Sequence, residues 1–247
     1  MAKISAGSYE LDKFLEGGYE TDIITTIYGP AGSGKTNFCM LAAAKQAREG
    51  KKVIFIDTEG GFSVERLKQI IGENEKNNEK NIMNNILLLK ATNFAEQREA
   101  FNKLLTELKR EISLIVVDGM TMLYRLELGA ASSAKDNEKV YAVNRALVRQ
   151  LRILAEIARK KNIPVLVTNQ VYAEFSKKEQ QEGRMQENKI HMVGGDILKY
   201  WSKCLVELQN LQGGRKKVIL RKHRSLPEKE LVFVITNDGI RKARRFF

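Results

Sequence analysis

Apolar residues in this chain fall either into short unbroken runs or into longer stretches where they recur every three or four positions. The unbroken runs at Ile23 to Tyr28, Lys51 to Asp57, Ile86 to Leu89, Ile112 to Asp118 and Ile163 to Thr168 predict buried strands. Helical spacing between them predicts helices over Leu11 to Gly18, Asn37 to Arg48, Phe62 to Ile71, Phe94 to Arg110 and Val140 to Lys161. Beyond residue 203 the pattern changes. Cys204 to Leu208, Lys217 to Arg221 and Leu231 to Thr236 alternate, with turns at Gly213-Gly214 and Asp238-Gly239, and so predict antiparallel strands. Alternating strands and helices followed by hairpins define an α/β class: a mostly parallel central sheet with flanking helices and C-terminal antiparallel strands. Three polar stretches fit neither period. Glu73 to Asn85 is nearly all Asn, Glu and Lys, residues 121 to 137 read as loose around Gly129 to Ser133, and Tyr172 to Lys189 is rich in charge. No repeat or linker interrupts the chain, so residues 1–247 are expected to form one domain.

Charge changes this picture first. The chain carries a formal net charge of +12. Its excess is concentrated: between 215 and 245 stand eleven Lys and Arg against Glu228, Glu230 and Asp238. Such a block favours a polyanionic partner, nucleic acid before membrane. No run of 18 or more apolar residues is present, and Met1 to Gly7 lacks the apolar segment of a secretory signal. Cys39 and Cys204 fall in apolar surroundings and are expected as reduced core residues, which points to a cytoplasmic protein. His191 and His223 are too few and too far apart for a protein metal site. Trp201 is expected in the core rather than as a stacking platform.

The chemistry is carried by Gly29-Pro30-Ala31-Gly32-Ser33-Gly34-Lys35-Thr36, a complete GxxxxGK[ST] motif between a predicted strand and a predicted helix. In that setting the glycines let backbone N–H groups turn inward around phosphates. Lys35 then supplies positive charge and the Thr36 hydroxyl a Mg²⁺ ligand, so the motif predicts nucleoside triphosphate binding. Asp118, ending an apolar strand, is the expected second partner of Mg²⁺. Glu59 lies just past another strand end, where a carboxylate would orient and deprotonate water. Gln170 follows Val165 to Thr168 and would sense a phosphate.

These segments (the phosphate loop, Phe55-Ile56-Asp57-Thr58-Glu59, Leu114 to Gly119, Val167 to Val171, and Ser8 to Glu20) together resemble the RecA-like recombinases, in particular a short archaeal group paralogous to the RadA recombinase. The resemblance spans essentially the whole chain and implies a RecA-like P-loop ATPase core with ATP and Mg²⁺ as cofactors. It implies that Lys35 and Thr36 bind triphosphate and Mg²⁺, that Glu59 is the catalytic carboxylate, and that Gln170 senses the terminal phosphate. It also implies two DNA-binding loops, here Tyr124 to Asn137 with Arg125, and Tyr172 to Val193 with Lys177, Lys178, Arg184 and Lys189. There the cations would neutralise phosphates while Tyr172 and Phe175 stack on bases.

Two departures stand out. Full members of the family carry an N-terminal helical DNA-binding domain and a Phe-x-x-Ala docking segment, and the residues before Ser8 spell neither, which argues against filament assembly by that route. The stretch Arg221 to Glu228 matches the family's nucleotide-capping segment, but Lys222 stands where an aspartate is usual. Lys222 is therefore expected to place a positive group near a nucleotide's phosphates, in the same subunit or a neighbour. The reading that follows is a DNA- and ATP-binding accessory of recombination and repair, a mediator for a RadA-type recombinase with weak DNA-modulated ATPase activity, working as a homodimer or oligomer and away from membranes. The alternatives are a KaiC-like signalling ATPase that binds no DNA and an active strand-exchange recombinase.

Overall fold

Two short strands, β1 (Lys3–Ile4) and β2 (Tyr19–Glu20), pair antiparallel around helix α1 (Tyr9–Phe14), whose Leu11 and Phe14 are buried. The computed structural model describes residues 2–108, 111–173, 190–192 and 195–243. Next come strand β3 (Ile24–Gly29), helix α2 (Lys35–Arg48), strand β4 (Lys52–Asp57) and helix α3 (Val64–Ile71). A short 3₁₀ turn at Glu73–Asn78 leads into helix α4 (Glu79–Asn84) and strand β5 (Ile86–Lys90). Helix α5 (Phe94–Glu107), strand β6 (Ile112–Asp118) and helices α6 (Met122–Ser133) and α7 (Asn137–Lys161) follow. Strand β7 (Val165–Ala173), strand β8 (Ile190–Met192) and helix α8 (Gly195–Trp201) precede the final meander of β9 (Cys204–Asn210), β10 (Lys216–Lys222), β11 (Lys229–Thr236) and β12 (Gly239–Lys242).

The ten-stranded sheet runs β12-β11-β10-β9-β3-β7-β6-β4-β5, with β8 paired to β7. Strands β9, β3, β7, β6, β4 and β5 are parallel, and β9 to β12 form the antiparallel extension. Helices cover both faces. One core joins α1, α2, α3 and α4 to the sheet, and the other joins α5, α6, α7 and α8. The periodicity of α7 shows why: Val143, Leu147, Leu151, Leu154 and Ile157 line one side and are buried. Its ends are marked as sequence chemistry predicts, by Asp136 accepting from the Lys139 N–H at 2.9 Å and by Asn162 in the left-handed conformation at φ 54°.

The structure corrects the sequence reading in two places. Residues 73 to 85 are not an open loop: Ile82 on α4 is buried in the first core and Met83 packs against it, two apolar residues hidden in a polar sequence. Residues 121 to 137 are largely helical. In α6, Leu123, Tyr124 and Ala131 are buried, and the Tyr124 hydroxyl donates to Asn144 on α7 at 2.7 Å. That side-by-side packing of two helices outweighs the weak propensity of Gly129, Ser132 and Ser133. Part of the concentrated C-terminal charge is paired within the fold, while Lys216 and Lys222 donate to backbone carbonyls instead. Arg221 bridges the buried Glu207 and Glu228, Arg224 meets Glu20 and Asp22, Lys229 meets Glu16, and Arg241 meets Asp238. Cys39 and Cys204 are free and buried, as expected. Trp201 is partly buried against the second core, edge-on to the exposed Tyr200.

Candidate functional site

Because β3, β4, β6 and β7 are parallel, their C-terminal ends lie along one edge, where ligands gather in such sheets. Register sets the neighbours: Gly29 lies opposite Gln170, and Asp57 opposite Asp118. The phosphate loop leaves β3 at Gly29, where any Cβ would sit 2.3 Å from the Leu208 carbonyl oxygen. Gly34 then opens α2 at φ 101°, a conformation that leaves the helix's first N–H groups facing the loop. Lys35 is buried and folds back, its Nζ donating to the Gly29 and Pro30 carbonyls at 3.0 and 2.9 Å. Burial pulls its ammonium below the usual lysine range, and the carboxylates of Glu59 and Asp118 oppose that shift.

Asp118 sits between two hydroxyls. Thr168 Oγ1 donates to its Oδ1 at 2.6 Å and Thr36 Oγ1 to its Oδ2 at 2.7 Å. Beside it, Gln170 Nε2 donates to Glu59 Oε2 at 2.7 Å, so the two residues expected to act on the terminal phosphate are already joined. Glu59 itself is placed by Asp57, whose carboxylate accepts the N–H groups of Glu59, Gly60, Gly61 and Phe62 at 2.9 to 3.2 Å. The space between these groups suits a nucleotide and its cation. Ser33 Oγ and Glu59 Oε1 are buried without a hydrogen-bond partner, and a Cβ built on Gly32 would meet nothing within 4 Å. Among the described residues no cluster of three His, Cys, Asp or Glu forms a separate metal site.

Burial pushes the Asp118 carboxyl up to about 6, against the hydroxyl donors Thr168 and Thr36 and with help from the nearby Glu59 and Asp57. The folded chain therefore holds a proton between the unfolded value near 3.8 and 6 that the unfolded chain has released, so this group's contribution to stability falls as pH rises through that window. Asp118→Asn removes the titration. At pH 7.5 it is expected to be more stable than wild type by roughly 1–2 kcal/mol, and at pH 4 nearly equal to it. Urea unfolding at the two pH values measures this; equal differences at both would show that Asp118 does not titrate in this range.

The structure brings together Gly29 to Thr36, Glu59, Asp118 and Gln170, but not every expected residue. Arg125 lies on the exposed side of α6 rather than in a loop. Lys177, Lys178, Arg184 and Lys189 lie outside the described residues, as do Phe175 and the side chain of Tyr172. Of the two placements open to Lys222, the same subunit or a neighbour, the fold sets it far from its own phosphate loop. Lys222 pairs with Leu205 at the start of β9, the end of the sheet away from the phosphate loop, and its Nζ donates to the carbonyls of Lys199 and Ser202 at 3.1 and 2.9 Å. There it caps the carbonyl end of α8. Residues that sequence reasoning missed are Asp57, Thr168, Lys216 and Arg66. Thr168 was detectable as a polar residue ending an otherwise apolar strand. Arg66 joins α3 to Asn37 on α2 and to the Thr236 and Asn237 carbonyls after β11, a link visible only in three dimensions.

A parallel sheet whose strand ends carry a phosphate loop, a hydroxyl-bound aspartate and a glutamate tied to a strand-end glutamine, followed by an antiparallel meander, is a RecA-like P-loop core. The chain belongs to the Rad51 family, whose model matches residues 1–243. That family is one of nucleotide-binding ATPases. Among curated relatives it is 37% identical over 237 residues to the DNA repair and recombination protein RadB of Methanobrevibacter smithii, covering 93% of this chain and 92% of that one. It is 40% identical over 230 residues to the RadB of Methanocaldococcus jannaschii, covering 93% and 98%. A solved structure described as the RadB recombinase superposes with a TM-score of 0.75 at 32% identity, covering 98% of this chain and 100% of that one.

Proposed function

We propose that this protein is an ATP- and DNA-binding factor of recombination and DNA repair, in which nucleotide occupancy regulates DNA affinity and hydrolysis is slow. Its relatives are named for DNA repair and recombination, and membership of their family implies contact with DNA. No helix among the described residues is long and apolar enough to cross a membrane.

The hydrogen bond from Gln170 to Glu59 carries this reading. Lys35, Ser33 and the backbone of residues 32 to 36 would hold the phosphates, and Thr36 with Asp118 the Mg²⁺. The bound nucleotide supplies a phosphoanhydride for hydrolysis. Glu59 is placed to take a proton from water on its unpartnered Oε1, while Gln170 orients the carboxylate through Oε2. Movement of Gln170 pulls on β7, which runs directly into residues 174–189 with their Lys and Arg. That gives nucleotide state a mechanical route to a basic segment. A slow rate follows because, of the residues that form the site (Gly29 to Thr36, Glu59, Asp118 and Gln170), Lys35 alone carries a positive charge. Lys222, at the far end of the sheet, would reach only the nucleotide of a neighbouring subunit. Service as a mediator to a RadA-type recombinase, as a homodimer or oligomer, is part of the same proposal.

Binding to fluorescent single-stranded DNA across a salt series, with and without MgATP, tests the core of it. Affinity should fall steeply with salt, by about tenfold or more between 50 and 200 mM for several phosphate contacts. MgATP should shift the curve in wild type and leave Lys35→Ala unmoved. Absence of DNA retention at low salt would overturn the DNA half and leave a signalling ATPase.

A further inference from the structure

The β9–β10 hairpin reaches the phosphate loop from outside the nucleotide cradle. Its first strand, β9, runs beside the base of the loop, where Gly29 packs against the Leu208 backbone. From there Asn210 Nδ2 donates to the Ala31 carbonyl at 3.1 Å, and Lys216 Nζ donates to the Gly32 carbonyl at 2.5 Å. Lys216 Nζ also donates to Asn210 Oδ1 at 3.0 Å, which locks the two side chains together. The Lys216 stem passes Gly34, its Cδ 3.8 Å from where a Cβ there would stand.

Two successive outward carbonyls are thus held by one hairpin. A planar trans peptide that turns its carbonyl outward turns the following N–H inward. Fixing the carbonyls of Ala31 and Gly32 therefore turns the N–H groups of Gly32 and Ser33 away from the hairpin; that of Ser33 meets the Pro30 carbonyl at a long 3.3 Å, a partner that a phosphate oxygen would replace. No carboxylate pairs with Lys216 among the described residues, and burial lowers its ammonium from the usual lysine range. A negative ligand nearby would relieve that penalty.

We propose that Lys216 is a positioning residue of the nucleotide site: with Asn210 it clamps the outer carbonyls of the phosphate loop and so sets affinity for the diphosphate common to nucleoside di- and triphosphates. This rests on the nucleotide-binding reading above. Lys216 acts through the loop, not on the terminal phosphate, so its loss affects both nucleotides alike.

Titration of fluorescent mant-ADP and mant-ATP with Mg²⁺ into the full chain tests it. Lys216→Ala should weaken both by the same factor, roughly tenfold. Lys216→Arg, which keeps the charge and a donor, should stay within about threefold of wild type. Asn210→Ala should cost less than Lys216→Ala, and the double variant less than the product of the two, as expected for groups holding one loop together. A loss confined to ATP overturns the proposal by moving Lys216 to terminal-phosphate chemistry. Affinities within twofold of wild type also overturn it, as does a fall in nucleotide-free thermal stability large enough to account for the lost binding. Wild type that binds neither nucleotide brings down the site itself, a result distinct from failure of the clamp.

Discussion

Lys35→Ala is expected to weaken MgATP binding by about a hundredfold or more, or roughly 3 kcal/mol, while leaving the fold standing. In the structure Lys35 holds no carboxylate: it donates to the Gly29 and Pro30 carbonyls, with Glu59 and Asp118 close enough to favour its charge. A buried ammonium satisfied only by carbonyls is stabilised further when phosphate oxygens replace them, because charge-assisted hydrogen bonds in a partly desolvated site are about twice as strong as neutral ones. Removal of the ammonium deletes that gain and leaves two loop carbonyls, of which that of the partly buried Pro30 is open to water. Circular dichroism and thermal melting should therefore be close to wild type. An affinity within threefold of wild type would mean that the phosphates are held elsewhere.

The largest expected effect on stability belongs to Asp57. It is 2% exposed, and its two oxygens accept four consecutive N–H groups at the start of the segment that carries Glu59. Asp57→Ala leaves those donors without a partner at a strand end closed over by Thr58, which itself donates to the Asp118 and Gly119 carbonyls at 3.0 and 2.7 Å. Three of the four bonds go to Oδ1 and one to Oδ2. Asp57→Ala is expected to cost about 3 kcal/mol or more in urea unfolding, and Asp57→Asn, which keeps one acceptor oxygen, about half as much. Alanine and asparagine variants of equal stability, or an alanine variant within 1 kcal/mol of wild type, would show that the turn is held by its own backbone. Catalysis should suffer in both, because Glu59 and its bond to Gln170 depend on this turn.

Much of this arrangement was legible in the residues, and the failures have physical causes. Strands at Ile23–Tyr28, Ile112–Asp118 and Ile163–Thr168 were readable because parallel strands buried on both faces must be apolar throughout. Helix α7 was readable because its single buried side imposes a strict period. Helix α4 was not, because only Ile82 and Met83 among its residues meet the core, and two apolar positions define no period. Helix α6 was misread because its Leu123 and Tyr124 are buried by a neighbouring helix, while Met122 and Leu126 beside them are exposed.

Local chemistry along the chain determined the phosphate loop, the strand-end carboxylates Glu59 and Asp118, the glutamine at 170 and the α/β order of elements, since each depends on residues adjacent in sequence. Only the tertiary structure decided which of them meet. Strand register placed Gly29 beside Gln170 and Asp57 beside Asp118, joined Gln170 to Glu59, carried Lys222 to the far end of the sheet and brought Lys216 onto the loop. It also tied Arg224 and Lys229 of the basic block to acids as distant in sequence as Glu16, Glu20 and Asp22. Hydrogen-bond geometry and charge act over a few ångströms in space, and the sequence orders residues along the chain without saying which strands will lie side by side.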